Sequence, residues 1–131
     1  MQNITSYITE LLILAFIVIT FLQSGIDKVS DWKGNIDWLK GHFSKTFLKD
    51  QVPAMVATIL LLEVLAGILA IIGMIMIITA GKTEFALYAC VLAAITLLML
   101  LFGQRVAKDY AGAFTIVGYF VVVILGVMLL S

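Results

Sequence analysis

Residues Pro53 to Ala80 read PAMVATILLLEVLAGILAIIGMIMIITA, a stretch of 28 residues with one ionisable side chain, Glu63. About 20 apolar residues, rising about 1.5 Å each, cross the roughly 30 Å hydrocarbon core of a bilayer. The stretch therefore predicts a membrane-spanning helix. Glu63 lies ten residues after Pro53. That spacing puts it about 15 Å along the helix axis, close to the middle of the bilayer.

The neighbours of Glu63 on this helix predict the direction in which it points. Ala66, Gly67 and Ala70 fall within about 60° of Glu63 around the helix axis. Small residues mark the faces on which membrane helices approach closely, so Glu63 is expected to face other helices. A carboxylate in hydrocarbon costs a few kcal/mol unless it is protonated, paired or in a polar cavity. Glu63 is therefore either hydrogen-bonded to a neighbouring helix or part of a ligand or proton site.

The composition agrees with a membrane protein. The chain has 131 residues, of which 63% are hydrophobic and 12% are charged. Soluble domains carry about 25% charged residues. The length predicts one domain. The net charge of zero gives no argument for a nucleic-acid partner. Cys90 is the single cysteine, which excludes an intrachain disulfide and a CxxC pair.

The remaining sequence predicts three more spans and one amphipathic segment. We expect spans over residues 6–24, 53–80, 85–102 and 111–130, which form an all-α integral membrane four-helix bundle. Residues 25–52 show apolar positions at spacings of three and four, with Trp32, Trp38 and five lysines. This pattern favours one or two short helices at the membrane interface, divided near Gly34 or Gly41.

Small or polar residues recur on one side of each span. Such stripes predict helix–helix contacts or a wet cavity. Cys90 is interpreted as a packing residue of this kind. The first span carries Ser6, Thr9, Thr20, Gln23, Ser24 and Asp27; the third Ala86, Cys90 and Ala94; the fourth Gly112, Thr115, Gly118, Tyr119 and Gly126.

The distribution of basic residues predicts the orientation. Seven of the eight lysines and arginines lie in the connections between spans 1 and 2 and between spans 3 and 4, whereas Lys82 lies on the opposite side. The positive-inside rule places the lysine-rich side in the cytoplasm and both termini outside.

A candidate ligand site follows from the polar stripes. Glu63, Tyr119, Thr20 and Gln23 can converge on one cavity, with Trp32, Trp38 and His42 above its mouth. Carboxylic acid and phenol groups can donate hydrogen bonds to a carbonyl head group such as a quinone, while apolar walls hold a prenyl tail. The alternative is a solidly packed bundle in which Tyr119 bonds Glu63.

Two charged features carry their own alternatives. His42 is either a proton relay or a solvated interfacial residue. Asp27, Lys28 and Asp31 have the spacing of helical ion pairs, which are usually solvated surface pairs.

The chain resembles the DoxX-like membrane proteins and their MauE-type redox-associated relatives. The resemblance rests on Phe21-x3-Gly25-x2-Lys28, on Glu63-x3-Gly67 with Gly73, and on Gly118 and Gly126 in the last span. It implies a four-span bundle linked to redox processes. Relatives act as the membrane subunit of a thiosulfate:quinone oxidoreductase or accompany thiol-redox partners. Distant kin oxidise thiols with a CxxC pair that this chain lacks, so intrinsic dithiol catalysis is not expected.

The expected function is that of a small accessory subunit in the bacterial inner membrane. A quinone or a lipid is the candidate ligand, and membrane lipids with a protein partner or a second copy are the expected partners. No metal is expected, because one histidine and one cysteine provide no ligand spacing. Two alternatives stay open: a proton-coupled small-molecule transporter, and a structural subunit without activity of its own.

Overall fold

The computed structural model describes residues 2–131, and these residues form helices without any strand. The expected all-α architecture is confirmed. The elements in chain order are α1 (Gln2–Ser6), α2 (Ile8–Ile17), a π-helical segment (Val18–Leu22), α3 (Gln23–Ser30), α4 (Trp32–His42), α5 (Val52–Ala80), α6 (Glu84–Val106) and α7 (Tyr110–Leu130).

Within residues 2–131, four helices are long and apolar enough to cross a membrane. The first is continuous through α2, the π-helical segment and α3 (Ile8–Ser30, called the first span below), and the others are α5, α6 and α7. Large apolar side chains cover their outer faces: Phe114 is 79% exposed and Leu12 is 63% exposed. Such faces suit lipid rather than water. The fold thus fits an integral multi-pass membrane protein.

Two spans are longer than their apolar stretches predict. The first span continues to Ser30 and α6 to Val106, against expected ends at residues 24 and 102. Polar residues do not end a helix by themselves; a cap or a change of backbone direction does. The Asp31 side chain accepts a hydrogen bond from the Gly34 amide at 3.2 Å and starts α4 there. The segment therefore breaks at Asp31, not at Gly34, and again after His42, which confirms the division expected near Gly41.

Small residues position the helices where the sequence predicts it. Ala86, Ala89, Cys90 and Ala93 on α6 are fully buried. A Cβ atom added to Gly73 on α5 would lie 2.7 Å from Ala86 Cα. The backbones of α5 and α6 therefore touch at Gly73, as expected for an antiparallel helical hairpin.

The prediction of which side of α7 faces the other helices is wrong for the first half of this helix. Thr115 and Gly118 are exposed, whereas Val123 and Gly126 in the second half are buried. The reason is that α7 and the first span diverge over this part of their length. Among the described residues α7 packs on α6 and on α2, but its backbone does not come close to the π-helical segment or to α3. The first half of α7 is thus separated from the first span by a gap.

The amphipathic segment packs on the end of α5. Ile36, Phe43 and Leu48 are buried against Val52 and Val56 of α5, which confirms the amphipathic pattern for this part of the chain. His42 of α4 reaches the last turn of α6, where its Nε2 lies 3.0 Å from Gln104 Oε1. The end of the bundle formed by residues 31–51 and 107–109 is called the connection end below.

Candidate ligand cavity beside Glu63

A buried ion pair joins the first span to α5. The Glu63 residue is 3% exposed, which confirms that it faces the other helices. Its Oε1 atom lies 2.9 Å from Lys28 Nζ, and the Lys28 side chain is 17% exposed. Lys28 Nζ also donates a hydrogen bond to Ser24 Oγ at 2.6 Å. The interpretation of Lys28 as one member of a solvated surface pair with Asp27 and Asp31 is therefore wrong.

The backbone geometry of the first span explains this placement. Ser24 and Lys28 are one helical turn apart, so they share a side of α3. Gly25 lies between them, and a Cβ atom added to it would meet Val64 Cγ2 at 3.4 Å. The missing side chain lets the first span approach α5 closely enough for the lysine to reach the carboxylate. The π-helical segment just before α3 holds additional residues in its turn and so rotates α3 relative to α2.

Most residues that carry the family resemblance lie on this one interface. Phe21 is buried at 2% exposure. Gly67 of α5 lies directly against the Leu22 side chain. Together with Gly25, Lys28 and Glu63, these positions form the contact between the first span and α5, while Gly73 serves the contact with α6.

The ion pair leaves hydrogen-bonding capacity on the carboxylate. Lys28 Nζ is within ion-pair distance of Glu63 Oε1, yet that oxygen accepts no hydrogen bond of good geometry from the described residues. Lys28 Nζ donates one proton to Ser24 Oγ and directs its charge at Oε1, so the lysine neutralises the carboxylate without a well-aligned hydrogen bond. A carboxylate offers about four lone-pair positions, so the Glu63 side chain keeps acceptor capacity beyond this ion pair.

A cavity of about 330 Å³ lies beside Glu63, in the gap between the first span and α7. This volume reaches the lower end of the roughly 300–1,000 Å³ range of small-molecule sites. Its apolar walls include Leu97 and Leu100 of α6 and Ile116 of α7. Its polar lining consists of Thr20, Gln23, Ser24, Asp27, Glu63 and Tyr119.

The structure brings four of the predicted ligand residues together in this cavity: Glu63, Tyr119, Thr20 and Gln23. Tyr119 makes no hydrogen bond to Glu63 among the described contacts. Its ring packs edge-to-face on Phe16, with centroids 5.8 Å apart. Ser24 and Asp27 also line the cavity, and their place on the polar stripe of the first span was the signal that could have identified them.

Three other predicted ligand residues lie outside the cavity. Trp32, Trp38 and His42 do not line it, because α4 starts in a new direction at Asp31 and runs along the connection end. His42 stacks on Trp38 at a centroid distance of 4.8 Å, and its Nε2 lies 3.8 Å from Asp109 Oδ2. His42 is thus held by protein partners on several sides.

An apolar groove of about 140 Å³ adjoins the cavity. It shares the side chains of Leu100 and Ile116 with the cavity, and Lys28 lines it as well. Its other walls are mostly apolar and come from α4, the turn after it, α5 and α6: Leu39, Phe43, Val52, Met55, Val56, Ile59, Met99, Gly103 and Gln104. A polar cavity next to an apolar groove is complementary to a ligand with a polar head and an apolar tail.

The described residues include no group of three or more His, Cys, Asp or Glu side chains placed to hold a metal ion. Cys90 is buried between helices, and Gly126 of α7 approaches its Sγ. The polar lining of the cavity can form hydrogen bonds with a ligand, and its apolar walls define the shape.

Comparison of the chain with protein-family models, with curated proteins and with solved structures gives no significant match.

Proposed function

We propose that this chain is a small accessory subunit of a membrane redox system that binds the head group of an isoprenoid quinone beside Glu63. The observation that carries the proposal is a buried carboxylate, paired with one lysine, that lines a cavity about 330 Å³ in volume between membrane-spanning helices. The resemblance to DoxX-like proteins supports the redox association.

The lining residues match both redox forms of a quinone head group. The carbonyl oxygens of the oxidised form accept hydrogen bonds, which the Tyr119 hydroxyl and the Gln23 amide can donate. The hydroxyl groups of the reduced form donate, and the Glu63 carboxylate, which lines the cavity, can accept from them. Apolar walls at Leu97 and Leu100 suit the ring, and the adjoining apolar groove suits the first part of the prenyl tail.

The proposed setting is the bacterial inner membrane, with a larger oxidoreductase as the protein partner. The chain offers no dithiol, so electrons would have to enter and leave through that partner. Purification from native membranes in mild detergent, followed by mass spectrometry of proteins and lipids, tests the partner and the ligand together.

Tyr119→Phe is expected to weaken quinone binding by about threefold to tenfold. The change removes one hydroxyl donor and keeps the ring, and a net hydrogen bond contributes about 0.5–1.5 kcal/mol. The dissociation constant of decyl-ubiquinone is measured with purified protein in nanodiscs. Tyr88→Phe is the matched control, because Tyr88 is 55% exposed on α6 and does not line the cavity. Equal loss in both variants, or no loss in either, argues against the proposed contact.

A proton-coupled transporter is the second candidate. Two carboxylates, Asp27 and Glu63, line the same cavity, and carboxylates within a membrane are typical of proton pathways. Substrate-dependent proton flux in proteoliposomes under a pH gradient would favour this candidate. Quinone binding without such flux favours the accessory subunit.

A further inference from the structure

A second polar cavity, of about 340 Å³, lies at the connection end of the bundle. We call it the basic pocket and define it by Lys45, Lys108, His42, Ser44 and Thr46, which line it together with Gly41, Val106 and Ala107. It shares no lining residue with the cavity beside Glu63. The basic pocket is thus a separate site, with its own chemistry.

The positive charge of the basic pocket is not neutralised by ion pairs within the described part of the chain. The ion pairs there involve Lys28 and His42, and neither Lys45 nor Lys108 takes part in one. Asp109 is the nearest acidic neighbour in sequence, but its carboxylate is engaged elsewhere. Its Oδ1 accepts a hydrogen bond from the Gly112 amide at 2.9 Å, and its Oδ2 faces His42.

The backbone at Lys108 is in an unfavourable conformation. Its φ angle is 61°, and it is the one residue other than glycine with positive φ among residues 2–131. This left-handed position directly follows the last residues of α6, where glycine is usual and a β-carbon is disfavoured. Strain of this kind clusters at functional sites. At this position the chain carries a lysine whose side chain lines the basic pocket.

Exposed aromatic rings adjoin the basic pocket. Trp38 is 64% exposed and stacks on His42, and Phe47 is 71% exposed and follows Thr46 by one residue. Exposed Trp and other amphipathic rings favour the head-group region of a membrane. A basic cavity at that depth is where lipid phosphates are found.

We propose that the basic pocket binds a phosphate group, carried either by the head group of an anionic phospholipid or by free phosphate. Two unpaired ammonium groups supply the positive charge that such an anion requires. The Ser44 hydroxyl adds a hydrogen-bond donor at the rim. Thr46 stabilises the turn below it, since its Oγ1 donates to the Phe43 carbonyl oxygen at 2.9 Å and accepts from the Leu48 amide.

The test measures phosphatidylglycerol bound to the full chain in phosphatidylcholine nanodiscs, by native mass spectrometry across a titration. Lys45→Gln and Lys108→Gln are each expected to lower the affinity about fivefold, and the double variant about 25-fold. Lys49→Gln is the matched control. Lys49 is an exposed lysine of the same connection but does not line the basic pocket, so its replacement should leave binding unchanged.

Inorganic phosphate distinguishes the two sources of the group. Displacement of the lipid by millimolar phosphate identifies the free ion as a ligand, whereas resistance to phosphate identifies the lipid head group. Lys108→Gly distinguishes a loss of lipid binding from a loss of stability. Glycine removes the charge of Lys108 and also relieves the backbone strain at positive φ. It should bind lipid as weakly as Lys108→Gln and unfold at an equal or higher temperature. Unchanged binding in the double variant, or an equal loss in Lys49→Gln, overturns the proposal.

Discussion

Glu63→Leu is expected to lower the free energy of unfolding by about 3 kcal/mol, and adding Lys28→Met is expected to restore most of that loss. Removing one partner of a buried ion pair leaves an uncompensated charge, at a cost of about 3–5 kcal/mol. Replacing both partners by apolar residues of similar volume is often neutral or stabilising. Lys28 lies near the end of α3, where it can turn partly toward water, so the lower end of this range applies.

The measurement is reversible unfolding in mixed micelles of dodecyl maltoside and SDS. The four proteins of the double-mutant cycle are the parent, Glu63→Leu, Lys28→Met and the double variant. Asp27→Asn is the control, because Asp27 lines the same cavity but takes part in no ion pair of the described residues. It should change stability by less than about 0.5 kcal/mol. Strictly additive effects of the two substitutions would show that Lys28 and Glu63 do not interact.

Gly73→Ala is expected to destabilise the bundle by about 1–3 kcal/mol. The added Cβ atom would lie 2.7 Å from Ala86 Cα and 2.8 Å from Ala86 N. These are backbone atoms, so relief requires α5 and α6 to move apart and loosen the fully buried contacts around Ala89 and Cys90.

Gly118→Ala provides the matched control for Gly73. Gly118 lies inside α7, and an added Cβ atom would meet nothing within 4 Å. Alanine is the better helix former by about 1 kcal/mol, so this variant should be as stable as the parent or slightly more stable. Thermal unfolding followed by circular dichroism compares the two. If both substitutions lower the midpoint of unfolding equally, then α5 and α6 do not approach each other closely at Gly73.

The sequence predicts those features that depend on regular helices. Glu63 faces inward as predicted, because α5 is unbroken from Val52 to Ala80 and the 100° step per residue applies throughout. The buried row on α6 around Cys90 follows for the same reason. Pro53 marks the start of α5 to within one residue, since proline is favoured in the first turn of a helix.

Features that depend on irregular backbone are not predicted. The residue pattern does not indicate the π-helical segment at Val18–Leu22, and the spacing that predicts a surface pair for Lys28 does not show its contact with Glu63. The Asp31 cap redirects α4 and carries Trp38 and His42 away from the cavity. Composition reveals neither the cap, which depends on one local hydrogen bond, nor the ion pair, which depends on how the first span packs on α5.

The exposed positions of α7 have a similar origin. Thr115 and Gly118 have the residue types of a contact face, but the first span diverges from α7 at this depth. The same divergence opens the cavity between Thr20 and Tyr119. The sequence therefore predicts which small or polar residues share one side of a helix. Whether two such sides touch or leave a gap depends on the directions of the helices.

Photolabelling with an azido-quinone tests most directly whether the cavity beside Glu63 holds a quinone head group. The purified chain in nanodiscs is irradiated with the label, and adducts are mapped by peptide mass spectrometry. We expect adducts on Thr20, Gln23 and Tyr119, lost when excess decyl-ubiquinone is present. Adducts confined to outward-facing side chains such as Leu12, Phe102 and Val121, and insensitive to that competitor, would contradict a quinone site in this cavity.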